Sequence, residues 1–235
     1  NSKENFGFSK ATGDWILNLD ADERVTPQLQ IEIKKVLKTS KDMNGYWIPR
    51  KNIIFGKWIE HTGWYPDHVL RLFRRSKGRF EEKHVHEFIK VEGETEYLSS
   101  DLVHYNYENL NQFLRKMELY VKSESENLIA RNHSLKPGDA IRFPFEEFLS
   151  RFFAREGYKD GLHGLVLSLL MAFYHLCVFV SVWEKQKFKE SSDIDALNVF
   201  DVESKKASKE IGYWIKNEKV KSTRNPLKKV WLKIK

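Results

Sequence analysis

The segment GDWILNLDADERVTP, residues 13–27, sets Asp20, Asp22, Glu23 and Arg24 directly behind an apolar run. Two aspartates one residue apart can direct their oxygens to one side of a turn. Oxygens so placed suit a hard divalent cation such as Mg²⁺ or Mn²⁺, which also takes phosphate oxygens. A cation there stabilises charge on a departing diphosphate. The functional reading makes Asp22 the direct metal ligand and turns Asp20 towards a nucleotide or the same ion. The plain structural alternative is a solvated acidic loop in which Asp20 and Glu23 cap neighbouring groups.

The elements around the turn favour a site. Trp15 to Leu19 is apolar except for Asn18 and is bounded by Gly13 and the acids. That pattern predicts a short strand covered on both faces, as in a parallel sheet. Thr26-Pro27 reads as a helix start, with Thr26 as N-cap and Pro27 in the first turn. Leu29, Ile33, Val36 and Leu37 then recur at helical spacing. The acids therefore lie in a strand-to-helix turn at the C-terminal edge of an α/β sheet, the edge that ligands favour. Further on, Tyr46 to Ile59 reads as two strands around Phe55-Gly56. Val69 to Phe73 and Val85 to Val91 are further strand candidates. Leu110, Phe113, Leu114, Met117, Val121 and Leu128 mark a long amphipathic helix.

Charge and composition narrow the classes. The 235 residues carry a formal +7, but residues 204–235 hold eleven Lys/Arg against two Asp/Glu, a local +9, leaving about −2 for the rest. A basic tail on a near-neutral body argues against a nucleic-acid-binding protein and suits contact with an anionic membrane surface. The single cysteine, Cys177, excludes a disulfide framework and fits a reducing compartment. No secretory leader is read at the start of the chain, and a cytoplasmic location is expected. From Gly161 to Trp183 no residue carries a formal charge, a run of 23 residues with basic flanks on both sides. It is long enough to cross a bilayer. The symmetric flanks give no orientation, and the Phe/Arg-rich segment before it (Phe145 to Arg155) suits a helix lying in the headgroup plane. The expectation is peripheral attachment to the inner face of the cell membrane; a buried core helix is the alternative.

Four more stretches follow the acidic turn in order: WYPDHVLRLFRR (64–75), KHVHEF (83–88), LVHYNYENLNQFLRKMELY (102–120) and FFAREGYKDGLHG (152–164). Together with residues 13–27 they resemble the family 2 glycosyltransferases, and within them the bacterial lipopolysaccharide-core type that adds glucose-like sugars. The resemblance covers roughly residues 5 to 185. It implies a GT-A (Rossmann-like) mixed α/β sheet and a Mg²⁺- or Mn²⁺-assisted, inverting transfer. The sugar would pass from a nucleotide-sugar donor to an envelope glycan or lipid-linked acceptor. The family's N-terminal portion has no counterpart here. With Asn1 in place of Met and a helix end capped by Gly13 at the start, the expectation is a fragment that begins inside the domain. The expected organisation is catalytic sheet over 1–105, a helical membrane-associated extension over 106–190, and a basic polar tail over 191–235.

The resemblance also assigns a second constellation. An inverting transferase needs a base for the acceptor hydroxyl. The His86-Glu87 pair falls in the family's catalytic region, which makes Glu87 the candidate base and His86 an acceptor contact. Asp67 is the second candidate. Arg71 and Arg74 can fork onto diphosphate oxygens, or else pair with Asp67 or Glu82. Trp64 and Tyr65 can stack on a sugar face, or else belong to the core. Two other readings stay open. One is a catalytically inactive membrane scaffold. The other is a metal nuclease built on Pro66-Asp67 and Glu81-Glu82-Lys83, which leaves the acidic turn without a role.

Overall fold

The computed structural model describes residues 2–39, 42–81, 88–132, 135–189, 194–223 and 225. The chain forms two compact units, residues 1–114 and 115–235.

The first unit runs α1 (Ser2–Lys10), β1 (Trp15–Leu17), β2 (Glu23–Val25), α2 (Pro27–Thr39), β3 (Gly45–Ile54), β4 (Lys57–Trp58), β5 (Asp67–Arg74), β6 (Gly78–Glu81), β7 (Phe88–Val91), β8 (Thr95–Tyr97) and β9 (Leu102–Tyr107). The main sheet has the order β1-β5-β3-β9-β2, with β4 and β8 also paired to β3. β8 and β9 run parallel to β3, and the other pairings are antiparallel. β6 and β7 form a separate antiparallel pair.

Local chemistry explains the joints. Phe55 (φ 51°) and Gly56 (φ 78°) are both left-handed, the two-residue turn that matches strand twist in a tight hairpin. Thr26 Oγ1 accepts from Leu29 N at 3.1 Å and caps α2, with Pro27 where a missing N–H costs nothing. Leu29 and Ile33, one helical turn apart, are buried against Tyr46, Ile48, Leu72, Leu98 and Leu102. On the other face Leu70, Phe73 and Ile89 pack with Phe8 of α1, Ile16, Trp47 and Phe80.

β1 differs in part from expectation. Trp15 joins the α2-side core and Ile16 the opposite one, so both faces are covered. Its partner β5 is antiparallel, however, and the strand ends at Leu17; Leu17 and Leu19 are exposed. An apolar run signals two-sided burial, not the direction of its neighbour. Gly13 does not cap α1 either: the helix ends at Lys10 and Gly13 is not left-handed.

The second unit is helical. α3 (Leu110–Ala130) runs into it, followed by α4 (Asp139–Leu149), a π-helical turn (Ser150–Ala154), a 3₁₀ turn (Gly157–Asp160), α5 (Leu162–Lys185) and α6 (Ala196–Ser222). The segment read as a polar tail thus contains a 27-residue helix, N-capped by Asp195, whose carboxylate accepts from Asn198 N at 3.0 Å. α5 starts in close contact with the 3₁₀ turn: a Cβ on Gly164 would lie 1.8 Å from the Gly157 carbonyl oxygen. Backbone cannot rotate away, so Gly164→Ala is expected to destabilise the unit by about 1–3 kcal/mol. Thermal denaturation checks this.

Candidate active site

The acidic turn leaves β1 and enters β2. Asp20 N donates to Glu23 Oε2 and Glu23 N to Asp20 O, both at 3.0 Å, so the turn closes on itself. Tyr105 N donates to Asp22 O at 2.9 Å and ties the turn to β9. The capping expected of Asp20 and Glu23 is therefore present, but it is only part of their bonding.

Glu23 is the hub. Its side chain is fully buried and meets Arg71 Nη2 at 2.8 Å and Arg50 Nη1 at 3.4 Å. Arg71 Nη2 also binds Asp20 Oδ2. Arg50 faces Asp67 across the β3–β5 ladder, and its Nε donates to Asp67 Oδ2 at 3.0 Å. Asn52 Nδ2 donates to Asp67 Oδ2 at 3.2 Å and to Trp64 O at 2.8 Å.

Asn52 Nδ2 is thus a donor, and its Oδ1 receives His104 Nδ1 at 2.7 Å. Asn52 Oδ1 can only accept, so His104 Nδ1 is the donor in that bond. Nε2 faces Asp22 Oδ2 at 3.4 Å. A carboxylate oxygen and an imidazole nitrogen at this spacing can share a proton or flank a cation. Asn106 Nδ2 completes the array on Asn52 Oδ1 at 3.4 Å.

Two irregularities aim these groups. The β3–β5 register skips Arg71 between Tyr46↔Leu72 and Trp47↔Leu70, and the β3–β9 register skips Asn106 between Ile53↔Tyr105 and Ile54↔Tyr107. Bulges re-aim side chains, and each here turns a polar residue into the array. Among the described residues the array brings the carboxylates of Asp20, Asp22, Glu23 and Asp67 together with the guanidiniums of Arg50 and Arg71.

The residues singled out in the sequence distribute as follows. Asp20, Asp22, Arg71 and Asp67 all belong to the array. Asp20 and Asp22 point to different partners, Arg71 and His104, and both remain partly exposed. Arg74 is engaged elsewhere: its Nε donates to Met43 O at 3.1 Å and its guanidinium lies 4.7 Å from the Trp15 ring centroid. Trp64 packs edge-on against Tyr107. Tyr65 packs edge-on against Trp58 and donates its hydroxyl to Asp101 at 3.0 Å. Burial and that hydrogen bond to Asp101 push the Tyr65 phenol above its usual range. His86, Glu87 and Lys83 lie outside the described residues.

Sequence reading missed Arg50, Asn52, His104 and Asn106. No local pattern marks them, because their partners lie between 12 positions (Asn52–Trp64) and 82 positions (His104–Asp22) away. Their alternation within β3 and β9 was the one available signal: Arg50 and Asn52 share a strand face, as do His104 and Leu102.

For a divalent cation the donor set is small. Among the described residues no group of three or more His, Cys, Asp and Glu side chains is placed to hold a metal ion. Asp22 with His104 offers two groups. One carboxylate with phosphates and waters completing the shell suits Mg²⁺ or Mn²⁺, and the imidazole favours Mn²⁺ of the two.

The sequence profile of glycosyl transferase family 2 matches residues 4–92. The chain is similar to the lipopolysaccharide core biosynthesis glycosyltransferase LpsC of Rhizobium meliloti (strain 1021), at 24% identity over 82% of this chain and 72% of the relative. It is similar to an uncharacterized glycosyltransferase of Rickettsia prowazekii (strain Madrid E), at 23% identity over 73% of this chain. Another, from Rickettsia typhi (strain ATCC VR-144 / Wilmington), is 21% identical over 73% of the chain. The chain spans 62% of the length of each Rickettsia protein. The mixed α/β sheet is of the GT-A kind, although the acids lie in a turn between two strands, β1 and β2, and not in the strand-to-helix turn expected from the sequence. Residues 4–92 thus match the family 2 glycosyltransferases, and over a longer stretch the chain is similar to bacterial glycosyltransferases.

Proposed function

We propose that the acidic turn holds the diphosphate of a nucleotide-sugar donor, and that the protein transfers a glucose-like sugar with inversion to an envelope glycan or lipid-linked acceptor. The observation that carries this is the Asp22–His104 pair set at 3.4 Å in an array rich in carboxylates. Asp22 and His104 would hold Mg²⁺ or Mn²⁺, which when bound neutralises charge on the leaving diphosphate. Arg71 acts through Asp20, fixing its carboxylate, and Glu23 with Arg50 holds Arg71 in place. The acceptor class comes from the likeness to the lipopolysaccharide-core enzyme.

Inversion needs one proton acceptor at the incoming hydroxyl, and Glu87 is assigned that role. Asp67 is a weaker candidate, since Arg50 and Asn52 already occupy its Oδ2. Glu87→Gln is expected to keep donor affinity while kcat falls by about 10²–10⁴-fold. Normal turnover in that variant removes Glu87 as base. The broader test is nucleotide-sugar binding and hydrolysis with and without Mn²⁺. Donor binding that ignores Mn²⁺ argues against the site.

The helical unit supports peripheral membrane attachment. α5 is long and apolar enough to cross a membrane by length and composition. Gly164, Leu167, Ser168, Val178 and Val182 face inward. Leu162, Val166, Leu169, Phe173, Leu176 and Val180 are exposed, at spacings of four and three, and form an apolar stripe about 27 Å long. A helix with one face packed and the opposite face apolar and exposed fits burial of that outer face in a bilayer surface. Pelleting with vesicles of phosphatidylglycerol is expected, and Phe173→Asp/Leu176→Asp should reduce it about ten-fold or more. Full solubility of the parent protein with such vesicles at low salt contradicts attachment.

A further inference from the structure

We propose that the helical unit holds one acyl chain of an anionic phospholipid in a cavity at the C-terminal end of α5. The cavity measures about 330 Å³. That is at the small end of the roughly 300–1,000 Å³ typical of ligand sites. Its wall is apolar: Leu135 and Ala140 come from the entry to α4, Phe179 and Trp183 from α5. Lys136 and Lys189 line it as well. Both lysines are exposed. Trp183 Nε1 donates to Lys189 O at 3.3 Å and so holds the segment after α5 against the helix. Lys187 (φ 58°) and Phe188 (φ 51°) are both left-handed. Two consecutive side-chain-bearing residues in that conformation turn the chain sharply back beside the cavity, at a cost that the surrounding contacts must hold.

The combination selects the occupant. An apolar wall excludes a free sugar phosphate or a nucleotide, because their polar groups would lose water without gaining partners. Two ammonium groups beside that wall favour a molecule with an alkyl chain and a negative head, the lysine stems lying along the chain and their charges reaching the head. Position supplies the source. Leu176 and Val180 of the exposed stripe lie three positions from Phe179 and Trp183 respectively, so stripe and cavity wall are adjacent on α5. A helix resting on a bilayer by that stripe brings the cavity to headgroup depth, where one chain can leave its leaflet and enter. The proposal rests on the attachment reading for this source of the ligand, not for the cavity's chemistry.

Monomeric dodecyl phosphate is the probe, titrated calorimetrically into the full chain without vesicles. Binding is expected, and Ala140→Phe, which places a ring in the cavity, should weaken it at least about ten-fold. Lys136→Glu/Lys189→Glu should weaken dodecyl phosphate about ten-fold while leaving dodecyl maltoside unchanged. This surface pair decides the matter if Ala140→Phe does not fold. Equal binding of dodecyl phosphate by the parent and a folded Ala140→Phe protein overturns the proposal. So does inorganic phosphate competing as well as the alkyl ester, or a charge-reversed pair that binds undiminished. No bilayer enters this titration, so it stands apart from the vesicle pelleting. Membrane-borne chains are then tested with phosphatidylglycerol brominated in its acyl chains: quenching of tryptophan fluorescence should fall in Trp183→Phe, and quenching equal to the parent's overturns the bilayer as source.

Discussion

Replacing Asp22 with alanine is expected to lower kcat/KM for sugar transfer by about 10²–10³-fold while leaving stability within about 0.5 kcal/mol. The two halves of this expectation come from one geometry. The Asp22 side chain is 40% exposed and faces His104 Nε2 at 3.4 Å. Little packing is lost when it is removed. The site loses the carboxylate that, with His104, would hold the cation against the diphosphate. Progress curves with saturating Mn²⁺ and a urea titration of the same preparation check both halves. A variant that transfers normally shows that Asp22 does not serve the donor; one that unfolds shows a structural role instead.

Glu23→Ala is expected to behave in the opposite way, costing about 3–5 kcal/mol of stability. Glu23 is buried between Arg71 and Arg50, and Arg71 is itself buried. Removing the carboxylate leaves a guanidinium in the interior with Asp20 as its remaining carboxylate partner, and Arg50 with Asp67. An exposed pair gives the scale. Arg79, with its side chain 58% exposed and bound to Glu92 at 3.3 Å, should cost less than about 1 kcal/mol when replaced by alanine. Chemical denaturation of the two variants side by side measures the contrast. A Glu23→Ala protein as stable as Arg79→Ala means that the array is not held by its buried hub. Activity should fall as well, because Arg71 would no longer hold Asp20 in one orientation.

Some of this was legible in the residues. The Phe55-Gly56 turn, the Thr26-Pro27 helix start and the acidic turn behind an apolar strand each announce themselves within a few positions. Each rests on local physics: a left-handed pair, a capping hydroxyl, a break in an apolar run. The pairing of β1 with an antiparallel β5 did not follow, because an apolar strand packs between two layers in either direction. Arg71 shows a second limit. It reads as a fork for phosphate or a partner of Asp67 or Glu82, whereas the bulge turns it between Asp20 and Glu23. His104 and Asn52 were hidden for a related reason. They meet through the parallel β3–β9 pairing, and only the register sets Asn52 opposite His104. The exposed stripe of α5 was hidden in a uniformly apolar run. Composition shows that the helix is apolar all round, while packing decides which face is covered.

The most direct measurement is calorimetric titration of nucleoside diphosphates into the protein with and without Mn²⁺, repeated with Asp22→Asn. The account predicts tight binding of one nucleoside diphosphate only with Mn²⁺, and a loss of about ten-fold or more in the variant. Binding of equal strength without the metal, or unchanged by Asp22→Asn, would contradict it.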